Sequence, residues 1–411
     1  MWKNPDNTHA TGFKCKIDLL EGAQAVHIRQ YRLTPLEKEE LMKQVNAFIE
    51  KGWIEPSTSE WSSSVLFVPK PNGKLRFCVD FRGLNARTRT DQGPIPNQGE
   101  LLDELIGANC FSALDLASGY YQLALDDASK AYTAFPTPLG LYQWKVMPMG
   151  LCNTPAVFQR AMNVVLQQHI QKGYCKVYLD DIIIASKTIE EHAVHLDGVL
   201  ASLDRANLYC QLPKCQWAKQ ELKYLGHIVT GKGVKPDPAK VATLDKWVPP
   251  LDLVEKAKRP DLVPRAKEAI KKQIAQECRR FLGFMNYFRR FIPRFAEVAV
   301  ELHNQTSNSP PEWDDSCTKA WMDLKTLLSK AVMMHHPDFS IPFHVYCDAS
   351  SRAIGGVLIQ IINGEIRPVA FCARKMLPAE CNYNTTEQEL LALVYCFQQW
   401  RCYLENPTIV N

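Results

Sequence analysis

Apolar residues first recur at helical spacing near the N-terminal end of the chain. Leu41, Val45 and Phe48 follow Thr34-Pro35-Leu36-Glu37, which has the composition of a capping box with proline at the first helical position. Gly52 stands where such a helix is expected to end. We predict an amphipathic helix here, with packing as its only role.

Residues 61–82 change to the pattern of a β-hairpin. The apolar run Val65-Leu66-Phe67-Val68 is followed by a turn that contains Asn72-Gly73, and residues 75–81 form the return strand with Arg76. A hairpin tip that carries lysine and arginine suits contact with phosphate. An ordinary solvated tip explains the same residues equally well.

A second hairpin is predicted over residues 176–186, and it contains the most unusual polar residues of the chain. Asp180-Asp181 lies between apolar strand-formers. In a continuous strand one of the two carboxylates would enter an apolar layer, which is costly, whereas a tight turn lets both meet hard divalent cations. Asp115, at the end of a predicted strand, would supply a third carboxylate for two-metal nucleotidyl transfer. From the dipeptide alone, a solvated turn is the better interpretation.

Composition limits the class of protein. With 46% hydrophobic and 22% charged residues, 411 residues predict a globular chain of two or three domains. No apolar stretch reaches the roughly 20 residues of a membrane helix, and the N-terminus lacks the apolar core of a signal peptide. The 14 cysteines contain no C-x-x-C pair, so we expect reduced, mostly buried thiols and no zinc site.

Six short motifs occur in order along nearly the whole chain: residues 79–85, 112–122, 147–159, Tyr178-Leu179-Asp180-Asp181, 224–229 and 281–292. They resemble, in turn, the fingers motif, the first catalytic motif, the palm motif, the Y-x-D-D box and the primer grip of reverse transcriptases, and the segment that follows in Gypsy-type LTR retrotransposons. One such motif is a weak signal, but six in order are specific.

The resemblance implies an α+β fold: a right-hand polymerase with fingers, palm and thumb, followed by a partial ribonuclease H-like α/β domain. We expect fingers and palm over residues 1–235, the thumb or connection over 236–335, and the N-terminal part of the ribonuclease H-like domain over 336–411. Residues 236–264 are rich in proline, lysine and aspartate, which indicates a boundary or linker. The proline- and lysine-rich residues 249–277 exceed the short connection usual in the family, so we predict an insertion there.

The same resemblance assigns the polymerase centre. Asp115, Asp180 and Asp181 are expected to be catalytic and to bind two Mg²⁺ ions, with Mn²⁺ as the alternative metal. Tyr120 would be the aromatic gate beneath the sugar, where a ribose 2′-hydroxyl would clash. The alternative for Tyr120 is a core aromatic residue beside the site.

Further residues are expected at the nucleotide and the primer. Arg76 would bind the incoming triphosphate, with Lys70 as its companion. Met149 lies at the nucleotide where retroviral enzymes carry a polar residue, so a side-chain hydrogen bond is not expected from it. Residues 224–229 are predicted to form one short strand, within which Leu225 and Gly226 would form the primer grip.

The C-terminal segment resembles the first two motifs of the retrotransposon ribonuclease H domain, through Tyr346-Cys347-Asp348-Ala349-Ser350 and residues 385–392. Asp348 would be one metal ligand and Glu389 the second, with Glu387 as the alternative. The later acids of that motif set are not in the sequence. We therefore expect a truncated domain with an uncovered sheet edge and apolar face, and ribonuclease H activity that is absent or impaired.

The expected function is that of an RNA-directed DNA polymerase. Its partners would be an RNA template, a DNA primer or primer–template, deoxynucleoside triphosphates and other products of a polyprotein, with no membrane. The expected location is intracellular: cytoplasmic, in virus-like particles or nuclear. The alternative function is a catalytically silent retroelement-derived protein that binds nucleic acid.

Overall fold

The chain is described by a computed structural model over residues 12–69, 73, 75–307 and 310–405. It divides into two compact units. The first contains Met1–Glu104 and Ala108–Leu222, and the second contains Leu105–Gly107 and Lys223–Asn411. The division into fingers and palm, thumb, and ribonuclease H-like parts stays a prediction.

The first unit mixes short strands with helices. Its strands are β1 (Lys14–Cys15), β2 (Ile54–Pro56), β3 (Val65–Pro69), β4 (Leu75–Val79), β5 (Cys110–Asp115), β6 (Ala124–Leu125), β7 (Phe135–Thr137), β8 (Gly140–Trp144), β9 (Cys175–Tyr178), β10 (Asp181–Ser186) and β11 (Gln216–Lys219). Its helices are α1 (Pro35–Glu50), α2 (Arg82–Asn85), α3 (Gln98–Asp103), α4 (Asp127–Lys130), α5 (Thr154–Val165), α6 (Gln167–Gln171) and α7 (Ile189–Arg205).

The predicted first helix is confirmed as α1. The Thr34 side chain accepts a hydrogen bond from the backbone N–H of Glu37, and the backbone N–H of Thr34 donates one to the Glu37 carboxylate at 2.8 Å. Leu41 and Val45 are buried in the core of the unit. Gly52 has a φ of 64°, as expected of a glycine just beyond the helix end.

The predicted hairpin of residues 61–82 is confirmed as the pair β3–β4, in which Phe67 lies opposite Phe77. Phe77 and Val79 face the core, and Arg76 on the alternate face is exposed. Lys70, predicted near the tip, lies outside the described residues.

One antiparallel sheet, in the order β11-β5-β10-β9, carries the predicted acidic residues. Ile182, Ile183 and Ile184 are all fully buried, so both faces of β10 are covered. Helix α7 packs against β10 and β5, and α5 and α6 pack against β9. The sheet is therefore closely packed against helices where its strands reach the turn at Leu179 and Asp180.

The second unit begins within β12. Its strands are β12 (Glu221–Tyr224), β13 (His227–Thr230), β14 (Gly233–Pro236), β15 (Met334–His335), β16 (Phe343–Ala349), β17 (Ala353–Ile362) and β18 (Glu365–Lys375). Its helices are α8 (Pro238–Val241), α9 (Leu251–Ala257), α10 (Pro264–Tyr287), α11 (Phe295–Asn304), α12 (Asp315–Ser329), α13 (Thr385–Gln399) and α14 (Arg401–Leu404).

Two expectations for this unit were wrong. Residues 224–229 were expected to be one strand, but β12 and β13 are separated by a turn in which Leu225 and Gly226 have φ values of 45° and 67°. Glycine adopts this conformation readily, which explains why the strand breaks there. Residues 236–264 were expected to be a boundary or linker, yet they contain helices α8 and α9, and Val254 and Ala257 of α9 are buried.

The C-terminal part of this unit is the antiparallel sheet β16-β17-β18, with α13 packed on one face. Cys396 and Trp400 are buried against Leu358 and Cys372. Among the described strands β16 lies at an edge, and the outer surface of α13 exposes Leu390, Leu393, Val394 and Phe397. The expected uncovered edge and apolar face are thus present in the part of the chain that is described.

Among all the described residues, no helix is both long enough and apolar enough to span a membrane.

Candidate active site

The turn between β9 and β10 is tight and is held by a buried glutamine. Tyr178 pairs with Asp181, which leaves Leu179 and Asp180 as the connecting residues, and Leu179 has a φ of 53°. Gln159 of α5 accepts a hydrogen bond from the Leu179 N–H at 2.7 Å and donates one to the Val177 carbonyl at 3.2 Å. Gln159 is the last residue of the palm motif, residues 147–159, and no role was predicted for it. The available signal was an amide directly after the apolar residues Val157 and Phe158.

Strand register brings the predicted carboxylates together. Asp181 begins β10 and lies directly opposite Asp115, the last residue of β5, while Asp180 is the adjacent turn residue. The carboxylate of Asp115 accepts from the Lys214 ammonium group, at 3.2 Å to Oδ1 and 3.5 Å to Oδ2. Lys214 was not predicted, because nothing in its local sequence links it to a residue 99 positions earlier.

The two carboxylates at the turn are destabilised as anions. Burial, followed by the charges of Asp181 and Asp115, raises the pKa of Asp180 to about 6, although Lys214 acts in the opposite direction. Its Oδ1 atom is buried and has no hydrogen-bond partner. Desolvation and the Asp115 carboxylate also raise the pKa of Asp181, even though this side chain is the more exposed of the two. A nearby cation would relieve this cost.

Gly119 permits the close approach of Asp180. A Cβ atom at this position would lie 2.8 Å from Asp180 Oδ1 and 3.1 Å from Phe158 Cζ. Both distances are shorter than ordinary van der Waals contact, so a side chain here would displace the carboxylate or the ring. Gly119 belongs to the first catalytic motif, but its role could not be assigned without the structure.

Tyr120 lies beside the acidic turn and is partly buried. Its ring packs edge-on against Phe158, with ring centroids 5.1 Å apart. Burial and then the charges of Asp180 and Asp181 raise the pKa of its hydroxyl to about 12, so it is protonated at neutral pH. Its position is compatible with both sequence interpretations, the sugar gate and the core aromatic.

A cleft of about 880 Å³ in the first unit contains four of the predicted residues. Asp115, Asp180, Arg76 and Met149 all line it, so the fingers arginine and the acidic turn face one space. Met149 is 40% exposed and offers apolar contact. Tyr121, rather than Tyr120, lines this cleft.

The residues at the turn fit a divalent cation. Reverse transcriptases as a family use divalent metal ions. In the described part of the chain no three histidine, cysteine, aspartate or glutamate side chains are gathered closely enough to form a complete metal site. This separation is expected without a cation, because ionised carboxylates repel one another and Asp115 is paired with Lys214. The unpartnered Oδ1 of Asp180 is an oxygen ligand of the kind that Mg²⁺ prefers.

The predicted primer grip is a turn fixed by aromatic residues of the second unit. The Leu225 carbonyl accepts hydrogen bonds from the Tyr287 hydroxyl and from His227 Nδ1, the latter at 2.5 Å. A Cβ atom on Gly226 would lie 3.3 Å from the Tyr287 oxygen, so a larger residue would press on this contact. Burial lowers the pKa of His227 to about 4.

The acidic residues of the ribonuclease H-like part lie in a different environment. Asp348 and Glu389 are both exposed. Alternation along β16 places Asp348 on the face opposite Cys347, and Cys347 packs with residues of α13, the helix that carries Glu389. Glu387 forms a capping box with Asn384 at the start of α13. That structural role accounts for Glu387 and leaves Glu389 as the better candidate ligand.

Two family models and several known proteins match this chain. Residues 68–229 match the family described as "Reverse transcriptase (RNA-dependent DNA polymerase)", and residues 313–411 match the "RNase H-like domain found in reverse transcriptase". Two relatives are retrovirus-related Pol polyproteins of Drosophila melanogaster, from transposons opus and 297. They are 35% and 37% identical to this chain over 92% of its residues, and the matches cover only 37% and 34% of their own length. The Tf2-3 polyprotein of Schizosaccharomyces pombe is 30% identical over 96% of this chain and 28% of its own length.

The chain thus spans about a third of the length of these curated relatives. Solved structures give the same fold. One is the foamy viral protease-reverse transcriptase in complex with dsDNA. The match covers 99% of this chain and 81% of the foamy viral chain, with a TM-score of 0.78 and 22% sequence identity. The same protein in complex with an RNA/DNA hybrid matches 99% and 52% with a TM-score of 0.76. The predicted α+β polymerase fold with a ribonuclease H-like domain is confirmed.

The relatives are polyproteins of LTR transposons. The chain therefore contains a reverse transcriptase domain, matched over residues 68–229, followed by an RNase H-like domain, matched over residues 313–411.

Proposed function

We propose that this chain is an RNA-directed DNA polymerase of a Gypsy-type element, which extends a DNA primer with deoxynucleoside triphosphates on an RNA or DNA template. The single observation that carries the proposal is the carboxylate of Asp180. It is held at a tight turn beside Asp115 and Asp181, with a buried oxygen that accepts no hydrogen bond from the described residues. A protein without metal chemistry gains nothing from keeping such a group ionised.

Asp115, Asp180 and Asp181 would hold two Mg²⁺ ions, with Mn²⁺ as a substitute. Such ions, when bound, stabilise the attacking and leaving oxygens of nucleotidyl transfer. The protein's contribution is position: Gln159 fixes the turn, and the register of β5 with β10 holds Asp115 opposite Asp181.

Other side chains would orient the nucleotide. Arg76 is exposed in the cleft that Asp115 and Asp180 line, and its guanidinium can bind triphosphate oxygens in bidentate fashion. Tyr120, braced by Phe158, would lie beneath the sugar and select a deoxyribose. Template binding would be directed mainly to phosphates, and so would be sensitive to salt and tolerant of sequence. The foamy viral relatives solved with an RNA/DNA hybrid and with dsDNA support these partners.

A primer-extension assay tests the proposal. The purified chain is given a labelled DNA primer on matched RNA and DNA templates, with Mg²⁺ or Mn²⁺. We expect incorporation on both templates and its loss in Asp115→Asn, with template affinity, measured by fluorescence anisotropy, changed less than about twofold because binding is to phosphates.

Two results would contradict the proposal. Binding of template without incorporation in either metal would favour a silent nucleic-acid-binding protein. Incorporation that survives Asp115→Asn would show that the carboxylates are assigned wrongly.

A further inference from the structure

The second unit contains a cavity of about 280 Å³ that is separate from the proposed polymerase site. It is formed by α9, the first half of α10 and the segment that precedes α12. Both α9 and the first half of α10 lie within the predicted insertion, residues 249–277. Neither matched family range, 68–229 or 313–411, includes these helices, so neither assigns a role to this cavity.

The base of the cavity is apolar. Val254 and Ala257 of α9, Ile274 of α10 and Trp313 all line it and are each less than 9% exposed. The Trp313 indole N–H already donates to Thr318 Oγ1 at 2.9 Å. Its ring therefore contributes apolar surface to the cavity and needs no polar partner there.

The cavity is also lined by three lysines. Lys258, Lys267 and Lys271 make no ion pair in the described ranges, and Glu312 is the one acidic residue of the lining. Lys267 and Lys271 are one helical turn apart on α10, and like charges at this spacing repel each other. The next residue of the helix, Lys272, is different, because it pairs with Glu268 at 2.9 Å and does not line the cavity.

An apolar base beneath unpaired cations is complementary to one chemical class. We infer that this cavity binds an amphipathic organic anion, with its hydrocarbon or aromatic body against Val254, Ile274 and Trp313 and its single anionic head at Lys267 and Lys271. The cavity volume of about 280 Å³ lies just below the roughly 300–1,000 Å³ typical of ligand sites, which fits a small molecule. A carboxylate head and a phosphate head are both negatively charged, and the binding experiment compares the affinity of the cavity for each.

Isothermal titration of the full chain with matched probes tests the inference. The probes are 5-phenylvalerate, the neutral analogue 5-phenylpentanol, acetate, and 4-phenylbutyl phosphate. We expect 5-phenylvalerate to bind at least about tenfold more tightly than the alcohol, because only the acid can form charge-assisted contacts with lysine, and acetate not to bind detectably. The ratio of the phosphate to the carboxylate identifies the preferred head group.

Amino-acid substitutions test whether 5-phenylvalerate binds in this cavity. Lys267→Gln combined with Lys271→Gln should weaken 5-phenylvalerate binding by about tenfold or more, while the matched control Lys272→Gln leaves it unchanged. Ala257→Leu should abolish binding by filling the cavity, and a thermal melt shows whether this buried change leaves the fold intact. The lysine variants need no such check on the core, because they remove only charge at the cavity rim.

The inference is overturned if the alcohol binds as tightly as the acid, if no probe binds, or if the double lysine variant binds like the original protein. A double variant that binds 5-phenylvalerate like the original protein but loses template affinity would instead assign these lysines to nucleic acid. Primer extension by the double variant should be unchanged, which keeps this test independent of the proposed polymerase activity.

Discussion

The two groups of acidic residues in this chain differ in how far water reaches them. Asp180 stands at the turn between β9 and β10 with one oxygen buried and unpartnered, between the charges of Asp115 and Asp181. Asp348 and Glu389 of the ribonuclease H-like part are exposed on a strand and a helix. At the first site the protein holds an anion at a cost in free energy. The difference shows that a carboxylate becomes informative about function through its surroundings and not through its residue type.

The largest expected effect comes from neutralising the buried acid. Asp180→Asn should slow primer extension by at least about a hundredfold, since it removes a proposed metal ligand and transition-state electrostatics of this kind are worth that much. The same change should raise the free energy of unfolding without metal by about 1–2 kcal/mol, because the raised pKa marks a destabilised anion. Extension kinetics and urea denaturation measure the two effects.

The exposed Asp197→Asn on α7 is the control and should alter neither quantity. An active Asp180→Asn, or one that is less stable than the original protein, would break the comparison between buried and exposed acids.

The next effect concerns pH and the buried base of the second unit. Burial lowers the pKa of His227 from 6.5 to about 4, so the unfolded chain binds more protons between these values. Its contribution to stability is complete above pH 6.5 and is lost as the pH falls toward 4, by up to about 3 kcal/mol. Asp180 has the opposite sign: its destabilisation is complete above about pH 6 and is relieved as the pH falls toward 3.8.

Denaturation between pH 4 and 7 separates the two contributions. His227→Gln should flatten the fall in stability at low pH, and Asp180→Asn should steepen it. An unchanged slope in His227→Gln would mean that other groups dominate, such as His192, whose pKa is also lowered by burial.

A smaller effect is expected from adding one methyl group beside the turn. Gly119→Ala would place a carbon 2.8 Å from Asp180 Oδ1, so the carboxylate must move. We expect extension to slow by about tenfold through misplacement of a catalytic group, with little loss of stability. Gly283→Ala on α10 is the control, because no atom other than the adjoining residues and backbone of its own helix lies within 4 Å of the added carbon. This change should stabilise the helix by about 0.5–1 kcal/mol. Full activity in Gly119→Ala would show that Asp180 tolerates displacement.

The smallest effect is expected at the exposed acids. Asp348→Asn and Glu389→Gln should each change the free energy of unfolding by less than about 0.5 kcal/mol and leave primer extension unchanged, as exposed substitutions usually do. Hydrolysis of a labelled RNA–DNA hybrid should be slow in the original protein. Fast cleavage that Asp348→Asn abolishes would show that exposed carboxylates assemble a working site, and the contrast between the two regions would then fail.

Local signals in the sequence predicted a large part of the fold. The capping box at Thr34 and Glu37 predicted α1, and Asn72-Gly73 predicted the β3–β4 hairpin. The strand formers around Asp180-Asp181 predicted the second hairpin correctly. These features depend on residues a few positions apart, whose propensities act whatever the rest of the chain does. The break at Leu225 and Gly226 was missed because its hydrophobic pattern continues through the turn.

The sequence by itself determined the motifs, their order and the identity of the three aspartates. Only the tertiary structure decided that Asp181 lies opposite Asp115, that Lys214 holds the Asp115 carboxylate, and that Asp180 carries an unpartnered oxygen. These facts depend on strand register and on packing between residues distant in sequence. Burial and the charges of neighbours, which set the cost of an ionised carboxylate, exist only once that packing has formed.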